Sequence, residues 1–281
     1  MSNNAIRKVL WWVCLFIAPL VLAVIELFHP AGFTQKPGMY QYVSQPQPYN
    51  PLYQALAYPG PHWWFLLHTI QTPMVALVAV GLWMIVRRVE DEHGSAAVFF
   101  SWLSRLATFI FLIYYTALDS IGGSGMARTI LNTQSLASQG HLTPDQVSGV
   151  ALVLNTTWVD PWVGGVGSAI SLTGSWAAFA SAVFVAAALW LARKAPIPAL
   201  LLLVGFGWEL QMSHTMPHGP IAFSLLIIAA IWIWWSDRRQ LVGKSRCNRP
   251  GRPCMVVALM VDLCVHNGRT QCFELEGRSQ F

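Results

Sequence analysis

Six apolar runs, each about as long as a membrane's hydrocarbon core is thick, decide what this chain can fold into. A helix needs roughly 20 apolar residues to cross that core. In lipid the backbone must satisfy its own hydrogen bonds, so such runs fold as helices. They lie at about 9–28, 64–86, 97–118, 168–192, 197–213 and 219–236. The last two are short and are divided by the polar turn Ser213–His218, which predicts a helical hairpin. Only 10% of the residues are charged, against roughly 25% in a soluble domain. Tryptophans gather near the ends of the runs (Trp11, Trp12, Trp63, Trp64, Trp83, Trp162, Trp190, Trp232, Trp234 and Trp235). That is the pattern of an interfacial aromatic belt. The expected fold is all-α, a six-helix transmembrane bundle over 1–244.

Basic residues orient it. With the N-terminus in the cytoplasm, that side holds Arg7, Lys8, Arg87, Arg88, Arg105, Arg193, Lys194, Arg238, Arg239 and Lys244. The two longer extracytoplasmic loops hold only Lys36 and Arg128. This asymmetry obeys the positive-inside rule and places both termini in the cytoplasm. The first run is longer than a signal-peptide core and no small-residue cleavage site follows it, so it reads as a retained helix. The expected location is a bacterial inner (plasma) membrane. The expected partners are the lipid bilayer and other membrane proteins. Nucleic acid is not expected, because the cations are short flanks to apolar runs rather than a continuous patch.

The first outer loop, about 29–62, is rich in Pro, Gly, Tyr and Gln (Gln45, Pro46, Gln47, Pro48, Tyr49, Asn50, Pro51). Its prolines exclude a regular helix, and it is expected to lie over the bundle as a lid. The second, about 119–167, contains a helix start at Thr143-Pro144-Asp145-Gln146. A capping threonine, a proline at the first helical position and a glutamine three residues after the cap form that signal. Pro19 and Pro73 fall inside helices one and two and predict kinks. Small residues in the fourth run, Gly174, Ser175, Ala178, Ser181 and Ala182 among them, predict a close-packing face. The tail, 245–281, holds Cys247, Cys254, Cys264 and Cys272 without any C-x-x-C. It is expected to be a loosely ordered cytoplasmic appendage.

The chemistry sits at one end. Glu26, His29, His68, Asp119, Glu209, His214 and His218 all map to the extracytoplasmic ends of the expected helices. Ionisable groups at membrane depth are costly, so each marks a candidate site. Glu26 and His29 share a helical face at the Glu-x-x-His spacing used by metal-binding bundles. His68 lies one turn inside helix two among Phe65, Leu66, Leu67 and Ile70. Asp119 is expected to end helix three, before a flexible turn at Gly122-Gly123-Ser124-Gly125, and to pair with Arg128. Tyr114 and Tyr115 precede it. Met212 and Met216 lie beside His214 and read as packing residues.

Two cofactors fit this set. In a haem b site His68 would face His214 or His218. In a transition-metal site (Fe, Cu or Zn) Glu26, His29, His68, Glu209 and His214 would supply the ligands. Asp119, Tyr114 and Tyr115 would line the pocket. The expected function is metal or haem binding, with redox chemistry as its use. The competing readings are a small proton-coupled transporter and an accessory subunit of a larger membrane complex. Against transport, the cytoplasmic half of the runs carries few polar residues. No G-x-S-x-G, G-x-G-x-x-G or P-loop is present, so serine hydrolase and nucleotide chemistry find no support.

Overall fold

The computed structural model describes residues 3–30, 38–44, 60–89 and 94–247. All regular structure among them is helical. Five helices are long and apolar enough to cross a membrane: Ala5–Glu26, Pro61–Val86, Ser95–Ser138, Ala169–Leu191 and His218–Asp237. A sixth apolar helix, Ile197–Met212, is shorter. The chain is therefore built as an integral membrane protein. The chain divides into two units, Met1–Ser236 and Asp237–Phe281. The Pro-rich lid segment 45–51, Lys36, His93, Cys254, Cys264, Cys272 and most of the tail lie outside the described residues.

In chain order the elements are α1 (Asn3–Trp12), α2 (Ala18–Glu26), α3 (Met39–Ser44), α4 (Pro61–Val86), α5 (Ser95–Leu118), α6 (Met126–Ser138), α7 (Pro144–Trp158), α8 (Ala169–Leu191), α9 (Ile197–Met212) and α10 (His218–Cys247). A π-turn at Val13–Ile17 joins α1 to α2, just ahead of Pro19. The wider turn absorbs the ring, which has no amide hydrogen to give. α4 runs on through Pro73 without a break.

The expected end of helix three at Asp119 is not there. A second π-turn, Asp119–Gly125, carries α5 directly into α6, so Ser95–Ser138 is one helical rod of 44 residues. At 1.5 Å per residue the rod is about 66 Å long, roughly twice the hydrocarbon core. α6 therefore extends beyond the apolar belt. The glycines that signalled a turn are π-helical because their missing side chains admit neighbours, as described below. The start of α7 matches its sequence signal, with the Thr143 hydroxyl accepting from the Gln146 amide and the Gln146 side chain accepting from the Thr143 amide.

α8 packs between α5 and α9. Its small residues allow the approach: Ala182 and Phe179 lie so close to Gly207 of α9 that a Cβ there would stand 2.6 Å from Ala182 Cβ and 3.0 Å from Phe179 Cα. Ser181 on α8 shares a 2.6 Å hydrogen bond with Thr108 on α5. The core is a continuous apolar cluster including Leu22, Val78, Leu82, Phe111, Val185, Leu203, Phe206, Phe223 and Leu226. A second, smaller cluster of Met39, Tyr42, Val43, Trp64, Met126, Ala127 and Ile130 sits at the histidine-bearing end.

Arg105 does not belong with the loop cations. It lies inside α5, is 7% exposed, and its guanidinium stacks over Trp102 (4.9 Å) and Trp83 (5.7 Å). Ser101, Ser104 and Thr108 are buried on the same face of the helix. The part of the bundle away from the histidines is thus more polar than its hydropathy suggests.

Candidate metal centre

Three imidazoles from three parts of the chain converge at one end of the bundle. His29 stands just past the end of α2, His68 two turns into α4, and His214 in the turn between α9 and α10. One ligand atom from each lies within 4.8 Å of the others. The ring centroids of His29 and His214 are 4.9 Å apart, and those of His29 and His68 are 5.3 Å apart. Nitrogens bound to one zinc ion at 2.0–2.1 Å stand ~3.3 Å apart at tetrahedral angles. The separations in the triad exceed that by at most about 1.5 Å.

The backbone sets which nitrogen each ring presents. His68 Nδ1 lies 2.8 Å from the Trp64 carbonyl, and His29 Nδ1 lies 2.9 Å from the Pro30 carbonyl. A carbonyl only accepts, so each Nδ1 carries the hydrogen and each Nε2 keeps its lone pair. His29 Nε2 is buried with no hydrogen-bond partner. Metal-ligating histidines use this arrangement, with the remote N–H fixed by a carbonyl. Burial pulls His29 down from 6.5 to about 4, against a smaller opposing effect of the Pro30 carbonyl. Burial, with His29 and His68 adding to it, holds His214 well below its ordinary range. Both imidazoles therefore stay neutral at physiological pH, the form that coordinates a metal.

The triad opens on a cavity of about 220 Å³. Asp119, Ser213 and Thr215 add polar groups to its wall, while Met39, Tyr42, Trp64 and Trp158 make the apolar side. Burial raises the Tyr42 phenol to about 12, so it stays protonated. Asp119 accepts a long contact from Thr72 Oγ1, 3.4 Å, and is 1% exposed. Arg128, expected as its partner, lies instead over the Phe65 ring at 5.6 Å. The rod geometry explains this: Asp119 faces the bundle, whereas Arg128 lies beyond the π-turn on α6.

The expected site residues separate into groups. His29, His68 and His214 come together. Glu26 is fully buried one turn before His29, and neither of its carboxyl oxygens has a hydrogen-bond partner. Tyr115 is buried beside the triad, its ring 5.7 Å from His214 and its hydroxyl accepting from Gln71 Nε2 at 3.0 Å. Tyr114 is elsewhere, backed against Gly174 of α8. Glu209 and His218 leave the group and pair with each other at 2.7 Å in a partly exposed position. His214 lines the cavity, while His218 begins α10. Met212 is 53% exposed and faces out.

Gln71, Thr72, Tyr42 and Trp158 escaped sequence reasoning. Gln71 had a signal, being an amide at i+3 from His68 within an apolar run. Trp158 and Tyr42 had none, since only the tertiary fold brings α3 and α7 to the cavity.

In the bis-histidine haem site expected from the sequence, two histidines would flank a flat macrocycle. Here the third imidazole lies within 4.8 Å of both others, inside the space a porphyrin would fill. The triad suits a single compact ion. No protein-family model, no curated protein and no solved structure matches the chain.

Proposed function

We propose that the chain is a six-span membrane protein of a bacterial inner membrane that binds a transition metal ion through His29, His68 and His214. In this reading α9 is the sixth span, both termini are cytoplasmic, and the metal end faces outward. The lipid bilayer is its principal partner. The convergence of three imidazoles, two of them with carbonyl-anchored Nδ1 atoms, supports the reading. Imidazole donors suit zinc, copper, iron and nickel.

The transport reading gains one observation, the buried polar face of α5. That face is interrupted for a cation. Phe111 fills it at 0% exposure, and the positive Arg105 lies beyond. Positive charge on a path is a barrier to cations. A resident ion fits these residues better than a transported one.

The test is metal content of the purified protein in mild detergent, with an optical spectrum of the same sample. Wild type is expected to hold about one transition ion per chain. His68→Ala and His214→Ala should each lose it, whereas His62→Ala and His141→Ala, both at exposed positions, should retain it. Well-folded wild type that takes up no metal would overturn the proposal.

A further inference from the structure

The carboxyls beneath the triad pose a problem that three neutral histidines do not solve. Glu26 is 0% exposed and Asp119 is 1% exposed. Glu26 has no hydrogen-bond donor on either oxygen. Asp119 has the 3.4 Å contact from Thr72, longer than the 2.5–3.0 Å of an ordinary O–H···O bond. Among the described residues no lysine or arginine lines the cavity. Removing a carboxylate from water without a counter-charge costs several kcal/mol. Buried charges persist in proteins where they are paired or coordinate metals.

Placement gives the two acids different parts. Asp119 lines the same cavity wall as all three histidines. Glu26 sits one turn before His29, and the turn carrying His214 closes over it: a Cβ added at Gly219 would stand 3.2 Å from Glu26 Cβ and overlap the His214 carbonyl. Asp119 and Glu26 are also electrostatic neighbours of each other. The unpartnered Nε2 of His29 belongs to the same group.

We propose that Asp119 is the fourth, anionic donor to the ion held by His29, His68 and His214, and that Glu26 supplies a second negative charge behind it. This rests on the histidine triad being a metal site and names the class of ion. Three imidazoles and a carboxylate make a hard-to-borderline set with one negative charge, and Glu26 behind it brings the total to two, matching a divalent cation. Zinc and iron(II) accept that mixture, whereas Cu(I) is selected by soft sulfur donors. The one thioether on the cavity wall, Met39, belongs to the apolar cluster with Tyr42, Val43 and Trp64.

Cobalt(II) is the probe, because its spectrum reports its ligands. The full-length protein is stripped with chelator in detergent and titrated with Co2+, with Zn2+ competing. In Asp119→Cys a thiolate-to-cobalt charge-transfer band should appear in the near ultraviolet. In Asp119→Asn the affinity should fall by about 10- to 100-fold, and in Glu26→Gln by about tenfold, the range seen when groups supporting a metal are removed. Asp145→Asn removes a carboxylate from the start of α7 and should bind as wild type does. Wild type that binds no Co2+ would sink the histidine site itself. Wild type that binds Co2+, with no thiolate band in Asp119→Cys and unchanged affinity in Asp119→Asn, would leave the triad standing and overturn this inference. If one Asp119 variant does not fold, the other carries the decision.

Discussion

Gly123 shows how narrowly the site is set. It lies against the His68 ring, so that any Cβ there would overlap the imidazole. Gly123→Ala must therefore push His68 out of the triad or shift the π-turn. We expect a loss of about 1–3 kcal/mol, the usual cost of overpacking, together with loss of bound metal. Thermal unfolding and metal analysis on one sample check both. The buried histidines also give the protein a pH dependence. His29 titrates near 6.5 when unfolded and at about 4 when folded. Below 6.5 the unfolded chain takes up a proton that the folded chain refuses, so stability falls as pH drops from 6.5 toward about 4. Above 6.5 this contribution is constant. Thermal midpoints of metal-free protein should decline across that acid window, and His29→Gln should flatten part of the decline.

At the scale of elements, much of the architecture was legible and the reasons for the rest are specific. The runs that became α4, α8 and α10 are long and apolar, so hydropathy alone marks them. The cap of α7 was legible because its four residues form a local hydrogen-bonded unit. The α5–α6 rod was not legible. Gly122, Gly123 and Gly125 normally punctuate a chain; a side chain at Gly122 would meet Trp158 and one at Gly123 would meet His68, neighbours that only the tertiary fold brings there. Glu209 and His218 were misplaced for a similar reason. Spacing brought them to the same membrane depth as His214, but the turn before α10 sends them to each other. The close packing of α9 on α8 can be tested directly. Gly207→Ala would drive a methyl into Ala182 and the Phe179 backbone. Thermal unfolding in detergent should show a loss of about 1–3 kcal/mol, with metal stoichiometry in the folded fraction unchanged.

At the scale of the molecule, many large apolar side chains are exposed along the helices, and Asp119 and the three imidazoles gather at one end around a cavity whose wall is mostly apolar. Keeping Glu26, Asp119 and three imidazoles out of water is costly, and the proposed ion would offset that cost. The sequence placed these residues at one depth, yet could not say which of them meet, because convergence depends on the rotation of each helix about its axis. X-ray absorption at the metal edge of the loaded wild-type protein tests the central claim most directly. The account expects a shell of nitrogen and oxygen with the multiple-scattering signature of three imidazoles. A sulfur-dominated shell, or a shell with one imidazole or none, would contradict it.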